Sequence, residues 1–449
     1  MAETILNRIV ARKRADLPAL KAHYPRALAG TGLEASGRSL YDAIKQGPGF
    51  ILECKKASPS KGLIRDDFDL DAIATVYGRH ASAISVLTDQ PFFQGRPEYL
   101  AKVASRVTQP VLMKDFVIDP FQVRLGRFLG ADAVLLMLSV LDDDQYLLLA
   151  AEAAKYQMDV LTEVANEAEL DRALALGAAI IGINNRNLHD LSIDLARTEQ
   201  LAARIPDATL VISESGIKNH GDVKRLRPHA DGFLVGSELM KDDDLDGACR
   251  ALIHGEHKVC GLTRPQDALA AYRAGALFGG LIFAPRSPRC LSVDEAEAVM
   301  AAAPLRYVGV FVNEAVEQVA AIAKELDLYA VQLHGDEDET YIAQLRQLTW
   351  AQLWRACTVD AMPTLAVDRL VVDSKHDGQF GGTGTAFDWS KLDGRAQPVP
   401  VMLAGGIGPD NCESALKVPG ITGLDLNSKL ESAPGLKCRD KINAVFDKV

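Results

Sequence analysis

The run FILEC at 50–54 reads as a buried strand, yet it continues into KKASPSKG and leaves Glu53, Lys55 and Lys56 at its end. Side chains alternate along a strand, so Glu53 and Lys55 point the same way. A carboxylate and an ammonium held side by side could move protons. Alternatively, the same charges form a solvated cluster in a turn. The other apolar runs weigh against that alternative. PVLM ends in Lys114, DVLTEV carries Glu163, AIIGI ends in Asn184 with Arg186 just beyond, and TLVIS ends in Glu214 and Ser215. A purely structural account of these five endings needs several independent coincidences. Charges that converge in a partly desolvated space shift one another's pKa, as acid–base catalysis requires.

Anion binding is also legible. ESGI and VGSELM place Gly216, Gly236 and Ser237 after two further apolar runs, where backbone N–H groups could approach a phosphate. Each glycine alone is equally explained as a turn former. Ser58, in the turn after FILEC, could add a hydroxyl. The second half carries different groups. KVCG ends a run at Cys260, RLVV ends at Asp373, PRSPRC offers Arg289, and VQLH ends in His334. A buried Cys is usually a small inert hydrophobe. Opposed to a carboxylic acid it could instead be a thiolate base, while an arginine fork could grip a carboxylate. Gly405-Gly406 and Asn427-Ser428 form a second phosphate candidate, and FGGTG at 380–384 is expected to be a flexible loop over the site.

These groups need a frame. In the first half eight short apolar runs fall at 50–54, 82–88, 110–114, 132–138, 159–164, 179–184, 209–214 and 231–236. Amphipathic segments such as PFQVRLGRFLGA and NEAELDRALALGA lie between them, the latter ending at Gly177 where a helix stop belongs. The pattern then restarts, with runs at 257–261, 279–284, 306–312, 329–334, 350–356, 369–374, 400–405 and 421–426. Strands alternating with helices imply right-handed βαβ units and a parallel sheet. Eight units per half predict an α/β protein of two consecutive (β/α)8 TIM barrels, residues 1–255 and 256–449. A doubly wound open sheet is the runner-up, but it usually has fewer strands per domain. In a barrel the charged strand ends gather at one mouth, where such folds hold their active sites.

Composition narrows the class. The chain has 449 residues, 48% hydrophobic and 24% charged, as expected of a soluble protein with two domains. No apolar stretch is long enough to span a membrane. The N-terminal MAETILNRIVARKRADL lacks the apolar core of a signal peptide and reads as an amphipathic helix. Seven cysteines without a CxxC pair argue against a disulfide framework or a zinc cluster, and for a cytoplasmic setting. A net charge of −11 argues against a nucleic-acid partner. Two barrels bury enough core to make a monomer the expectation.

Taken together, ILECKKASPSKG, VLMKDF, LTEV, GINNRNL, ISESGI and LVGS make the first half resemble indole-3-glycerol phosphate synthase. KVCGLT, SPRC, VGVFVN, VQLHG, VVDS, GGTGTAFDW, LAGGI and GLDLNS make the second half resemble phosphoribosylanthranilate isomerase. The resemblance spans nearly the whole chain, in the order of the fused bifunctional enzymes of bacterial tryptophan biosynthesis. It implies that the second half performs an Amadori rearrangement, with Asp373 as the acid that opens the ribose ring, Cys260 as the base at C2′, and Arg289 on the anthranilate carboxylate. It implies that the first half closes the indole ring with loss of CO2 and water. Lys114 would be the general acid there, Glu163 the second acid–base group, Lys55 the partner of the substrate carboxylate, and Glu53 the group that orients the lysines. Asn184, Arg186, Glu214 and Ser215 match substrate-positioning residues, and Phe116 and Asp425 fall in the matched motifs as binding positions. Neither reaction calls for a metal or organic cofactor; the substrates are phosphorylated anthranilates. One departure is Cys438, after APGLK, where the family usually has an acidic residue. Two rivals remain: a Schiff-base aldolase using Lys114 or Lys55, and a barrel kept as a scaffold.

Overall fold

The computed structural model describes residues 4–47, 49–187, 190–362, 366–373, 375–376, 379–380, 388–392 and 399–449. The chain divides into two compact units, Met1–Cys249 and Arg250–Val449.

In the first unit eight parallel strands close into a barrel. They are β1 (Gly49–Cys54), β2 (Ala83–Leu87), β3 (Val111–Lys114), β4 (Ala133–Met137), β5 (Asp159–Val164), β6 (Ile180–Asn184), β7 (Leu210–Glu214) and β8 (Gly232–Val235). Each pairs with its chain neighbours, and β8 closes onto β1 in the register Gly49↔Gly232 to Leu52↔Val235. Alternation explains how one strand serves both core and site. Ile51, Leu112, Leu161, Ile180 and Ile212 pack in one cluster of buried side chains. Two residues on from four of these stand Glu53, Lys114, Glu163 and Glu214, so the same inward face is apolar below and ionisable at the C-terminal end.

The helices carry their own signals. Pro120–Phe128 starts in a capping box of Asp119 and Gln122; Glu167–Ala175 is capped by Asn166, and Gly177 follows at φ 73°. The N-terminal helix α1 (Ile5–His23) is capped by Thr4 and precedes the barrel. Its buried Lys13 pairs with Asp89 at 2.9 Å and Asp115 at 2.7 Å, and Lys21 pairs with Asp119 at 2.7 Å. Asp115 directly follows Lys114, so α1 is tied to the loop that begins just after a candidate catalytic residue.

The second unit repeats the closed parallel barrel. Its strands are β9 (Lys258–Val259), β10 (Phe278–Ile282), β11 (Arg306–Phe311), β12 (Ala330–Leu333), β13 (Gln352–Cys357), β14 (Arg369–Val372), β15 (Val401–Leu403) and β16 (Ile421–Leu426). Phe278, Val308, Ala330, Trp354, Val371 and Met402 pack in one buried cluster. All sixteen expected strands are present. β9 is shorter than the run HKVCG suggests, because Gly261 turns the chain at φ 68°, and a Cβ there would lie 2.6 Å from Cδ of Arg289. Three short hairpins were not anticipated: 57–58 with 62–63, 375–376 with 379–380, and 431–433 with 436–437.

Candidate active sites in the two barrel mouths

At the mouth of the first barrel the strand ends bring two ammonium groups among three buried carboxylates. Lys55 Nζ lies 3.0 Å from Glu53 Oε2. Lys114 Nζ donates a short hydrogen bond to Glu214 and lies 4.0 Å from Glu53 Oε1. Asn184 donates from Nδ2 to Glu163 Oε1 at 3.0 Å. Two glycines make room for these carboxylates: a Cβ on Gly182 would collide with Glu214, and one on Gly236 with Glu53. Gly236, expected as a phosphate contact, thus also has a packing duty.

The electrostatics follow from this crowding. Burial opposes ionisation of Glu53, but Lys55 and Lys114 outweigh it and hold its carboxyl below the ordinary range. Burial pushes Glu163 up to about 7, with Glu214 adding to the rise and Lys114 and Asn184 opposing it. Burial pulls Lys114 down, yet Glu214, Glu53 and Glu163 together raise it, so it stays an ammonium. The site therefore holds a fixed proton donor beside a carboxyl poised near neutrality, a pairing suited to acid–base work.

A cavity of about 230 Å3 opens over these groups. Glu53, Lys55, Lys114, Phe116, Glu163, Asn184, Arg186, Ser215, Gly216, Gly236 and Ser237 all line it. Ser215 and Gly216 both take left-handed backbone, at φ 66° and 88°, and Asn185 holds the Ser215 carbonyl from Nδ2 at 3.1 Å. Glu214 does not line the cavity; it lies beneath Lys114. Ser58 is also outside the lining, its buried Oγ accepting from the Lys61 N–H at 3.2 Å within the hairpin turn. Lys61, Phe93, Leu87, Leu135 and Met137 line the cavity without having been anticipated. Lys61 closes the SPSKG turn, and its charge beside that glycine was the available signal. The apolar wall had none, because those residues read as ordinary core.

The second mouth collects Cys260, Arg289, His334, Asp373, Asp425 and Asn427 from β9, β10, β12, β14 and β16 or the loops after them. His334 Nε2 lies 3.7 Å from Asp373 Oδ2. Burial pushes the Cys260 thiol up, against the pull of Lys258. The Arg289 fork is engaged by an unanticipated partner: Nε donates to Glu431 Oε1 at 2.8 Å and Nη2 to Oε2 at 2.6 Å. That contact uses one edge of the guanidinium and leaves the Nη1 edge toward other ligands. Lys437 holds Glu431 Oε1 at 2.8 Å and Asn427 Oδ1 at 2.8 Å, so the hairpin beyond β16 braces the mouth. Gly405 and Gly406 turn the chain after β15 at φ 90° and 62°, and Ser428 opens a 3-10 turn, Ser428–Leu430. Cys438 stands at the N-cap of helix Arg439–Phe446 without a side-chain hydrogen bond, where an acidic side chain could accept from the first-turn N–H groups. From 381 onward the FGGTG run lies outside the described residues.

His334 gives this barrel an acid-sensitive core. Burial, reinforced by Lys258, pulls its pKa from 6.5 to about 4. Between those values the unfolded chain binds the proton and the folded chain does not, so stability rises with pH across the window. Acidification from pH 7 to 4 removes about 3 kcal/mol through this residue. Denaturant unfolding at the two pH values should show a smaller loss in His334→Asn; an equal loss would remove His334 as its source.

Residues 6–252 match the family model of indole-3-glycerol phosphate synthase, and residues 257–448 match that of N-(5'phosphoribosyl)anthranilate (PRA) isomerase. The tryptophan biosynthesis protein TrpCF of Vibrio cholerae is 52% identical, over 99% of this chain and 96% of its own. The protein of the same name from Yersinia pestis is 51% identical, over 99% of this chain and 94% of its own. A crystal structure of phosphoribosyl anthranilate isomerase from Thermus thermophilus covers 43% of this chain and 97% of its own, at 32% identity and a TM-score of 0.39.

Proposed function

The chain belongs to the family in which indole-3-glycerol phosphate synthase and N-(5'phosphoribosyl)anthranilate isomerase are fused, and from that premise we propose how its residues divide the two reactions. The enzyme is bifunctional and serves tryptophan biosynthesis. Its C-terminal half converts N-(5′-phosphoribosyl)anthranilate to 1-(2-carboxyphenylamino)-1-deoxyribulose 5-phosphate. Its N-terminal half closes the indole ring of that product.

In the isomerase, Asp373 gives its proton to the ribose ring oxygen as the ring opens. Cys260, as thiolate, then takes the C2′ proton of the opened imine to give an enolamine, and the ketone forms as C1′ gains a proton and the C2′ hydroxyl loses one. Arg289 holds the anthranilate carboxylate through its Nη1 edge while Glu431 fixes the other. Gly405, Gly406, Asn427 and Ser428 receive the phosphate, and Asp425 and His334 contact the sugar.

In the synthase, Lys114 protonates the ketone oxygen as the aromatic carbon attacks it. Carbon dioxide leaves, and Glu163 passes the proton needed for loss of water. Lys55 pairs with the substrate carboxylate and Glu53 holds both lysines. Asn184 and Arg186 position the sugar, while Ser215, Gly216, Gly236 and Ser237 take the phosphate. Phe116, 6.1 Å from Phe93 between ring centroids, walls the aromatic ring. The chain acts as a cytoplasmic monomer with no nucleic-acid partner. Its seven cysteines, with no CxxC pair among them, fit a reducing compartment.

The observation that carries the synthase assignment is the Lys114 ammonium among Glu53, Glu163 and Glu214. Three nearby carboxylates keep it protonated, which suits a proton donor and opposes the neutral amine that a Schiff base needs. Borohydride added during turnover of the ketose, followed by intact-mass measurement, separates the two. We expect indole-3-glycerol phosphate and no mass gain on the chain. A reduced adduct on Lys114 or Lys55 would replace the acid role with covalent catalysis.

A further inference from the structure

We propose that Gln332, anchored by the buried Lys258, is a positioning residue that fixes His334 in the tautomer whose Nε2–H faces Asp373. Lys258 begins β9 and is fully buried; its Nζ lies 2.6 Å from Gln332 Oε1 and 2.8 Å from Asp425 Oδ2. An ammonium only donates, so the Gln332 atom turned toward it must be the carbonyl oxygen. The amide NH2 is then the end that lies 3.2 Å from His334 Nδ1. A donor facing Nδ1 makes that nitrogen an acceptor, and the imidazole proton goes to Nε2. Nε2 is the atom 3.7 Å from Asp373 Oδ2.

The tautomer matters because of what Asp373 must do, and here the proposal rests on its reading as the ring-opening acid. An Nε2–H turned toward Asp373 Oδ2 at 3.7 Å presents a donor and not a lone pair to the carboxyl group, so the imidazole does not compete for the proton meant for the substrate. The opposite tautomer would offer Asp373 a lone pair and draw its proton away from the ring oxygen. Gln332 is almost wholly buried in β12, opposite Val310 on β11 and Trp354 on β13, so its amide cannot exchange its two ends for water. Lys258 also reaches the other proton-transfer group. A Cβ on Gly280 would lie 2.6 Å from Cys260 Sγ and 2.9 Å from Lys258 Cε, so thiol and lysine stem share one pocket wall. One buried cation thereby sets the surroundings of the base directly and those of the acid through an amide and an imidazole.

The test is the long-range 1H–15N imidazole spectrum of the 15N-labelled full chain at pH 7, with His334 assigned by the signal lost in His334→Asn. We expect the protonated nitrogen of His334 to be Nε2. In Gln332→Glu a carboxylate faces Nδ1, and the proton moves there or the ring becomes an imidazolium. Other charges around the ring are Lys258, Asp425, Arg355 and Asp373. Isomerase kcat then falls about tenfold or more, with KM little changed and the synthase rate as in wild type. A wild-type His334 protonated on Nδ1 overturns the proposal, and so does a Gln332→Glu chain with unaltered tautomer. That first result decides the matter even if the variant does not fold. A flipped tautomer with an unchanged isomerase rate would uphold the tautomer assignment and overturn the acid reading of Asp373.

Discussion

Lys114→Met lowers indole ring closure by about a thousandfold, within the range that a positioned general acid contributes, and leaves the isomerase rate at its wild-type value. Methionine keeps the length and apolar stem of lysine and removes only the proton and the charge. The charge matters to the rest of the site. Without it Glu53 keeps Lys55, but Glu214 loses its ammonium partner while remaining buried. Stranding a buried carboxylate typically costs about 3–5 kcal/mol, or it forces the group to protonate. The variant should therefore unfold at a lower temperature in its first barrel, and kinetics belong well below that transition. Separate assays with the ketose and with phosphoribosylanthranilate read the two activities. Loss of both in a folded chain would contradict two independent sites.

Cys260→Ser has the mirror effect. Serine is nearly isosteric, so the second barrel keeps its packing, but a hydroxyl is far too weakly acidic to serve as the base at C2′. Isomerase turnover should fall by about a thousandfold while ring closure stays at the wild-type rate. The wild-type pH profile carries a matching sign. Burial raises the thiol, and the base is the thiolate, so the isomerase rate climbs on the alkaline side as the thiol ionises. That limb should vanish in the serine variant. Its persistence would assign the proton abstraction to another group.

How far these sites could be read from sequence depended on the kind of signal each residue leaves. Barrel strands were legible because buried parallel strands are short continuous apolar runs, and all sixteen stand out against amphipathic helices. Glu53, Lys114, Glu163 and Asn184 stood out as candidates because a charged or amide side chain at the end of such a run is out of place. Arg289 was legible as a candidate carboxylate ligand, but its partner Glu431 was not, since it comes from a hairpin of three-residue and two-residue strands that no periodicity marks. Gly182 was equally silent: it sits inside an apolar strand, and only the position of Glu214 reveals why a side chain is excluded there. Gln332 and Lys258 carried no signal in the sequence, because what joins them is a side-chain chain that crosses from β9 to β12. Ser58 shows the converse. A hydroxyl in the right turn reads as a ligand, and the structure shows that its Oγ also accepts from the Lys61 N–H of its own loop.

The most direct test is one assay on the purified full chain, supplied with phosphoribosylanthranilate and no added metal or cofactor. Both mouths working in sequence predict indole-3-glycerol phosphate and carbon dioxide in equal amounts. Accumulation of the rearranged ketose without carbon dioxide would contradict the roles given to Lys114 and Glu163, and no consumption of substrate would contradict those of Cys260 and Asp373.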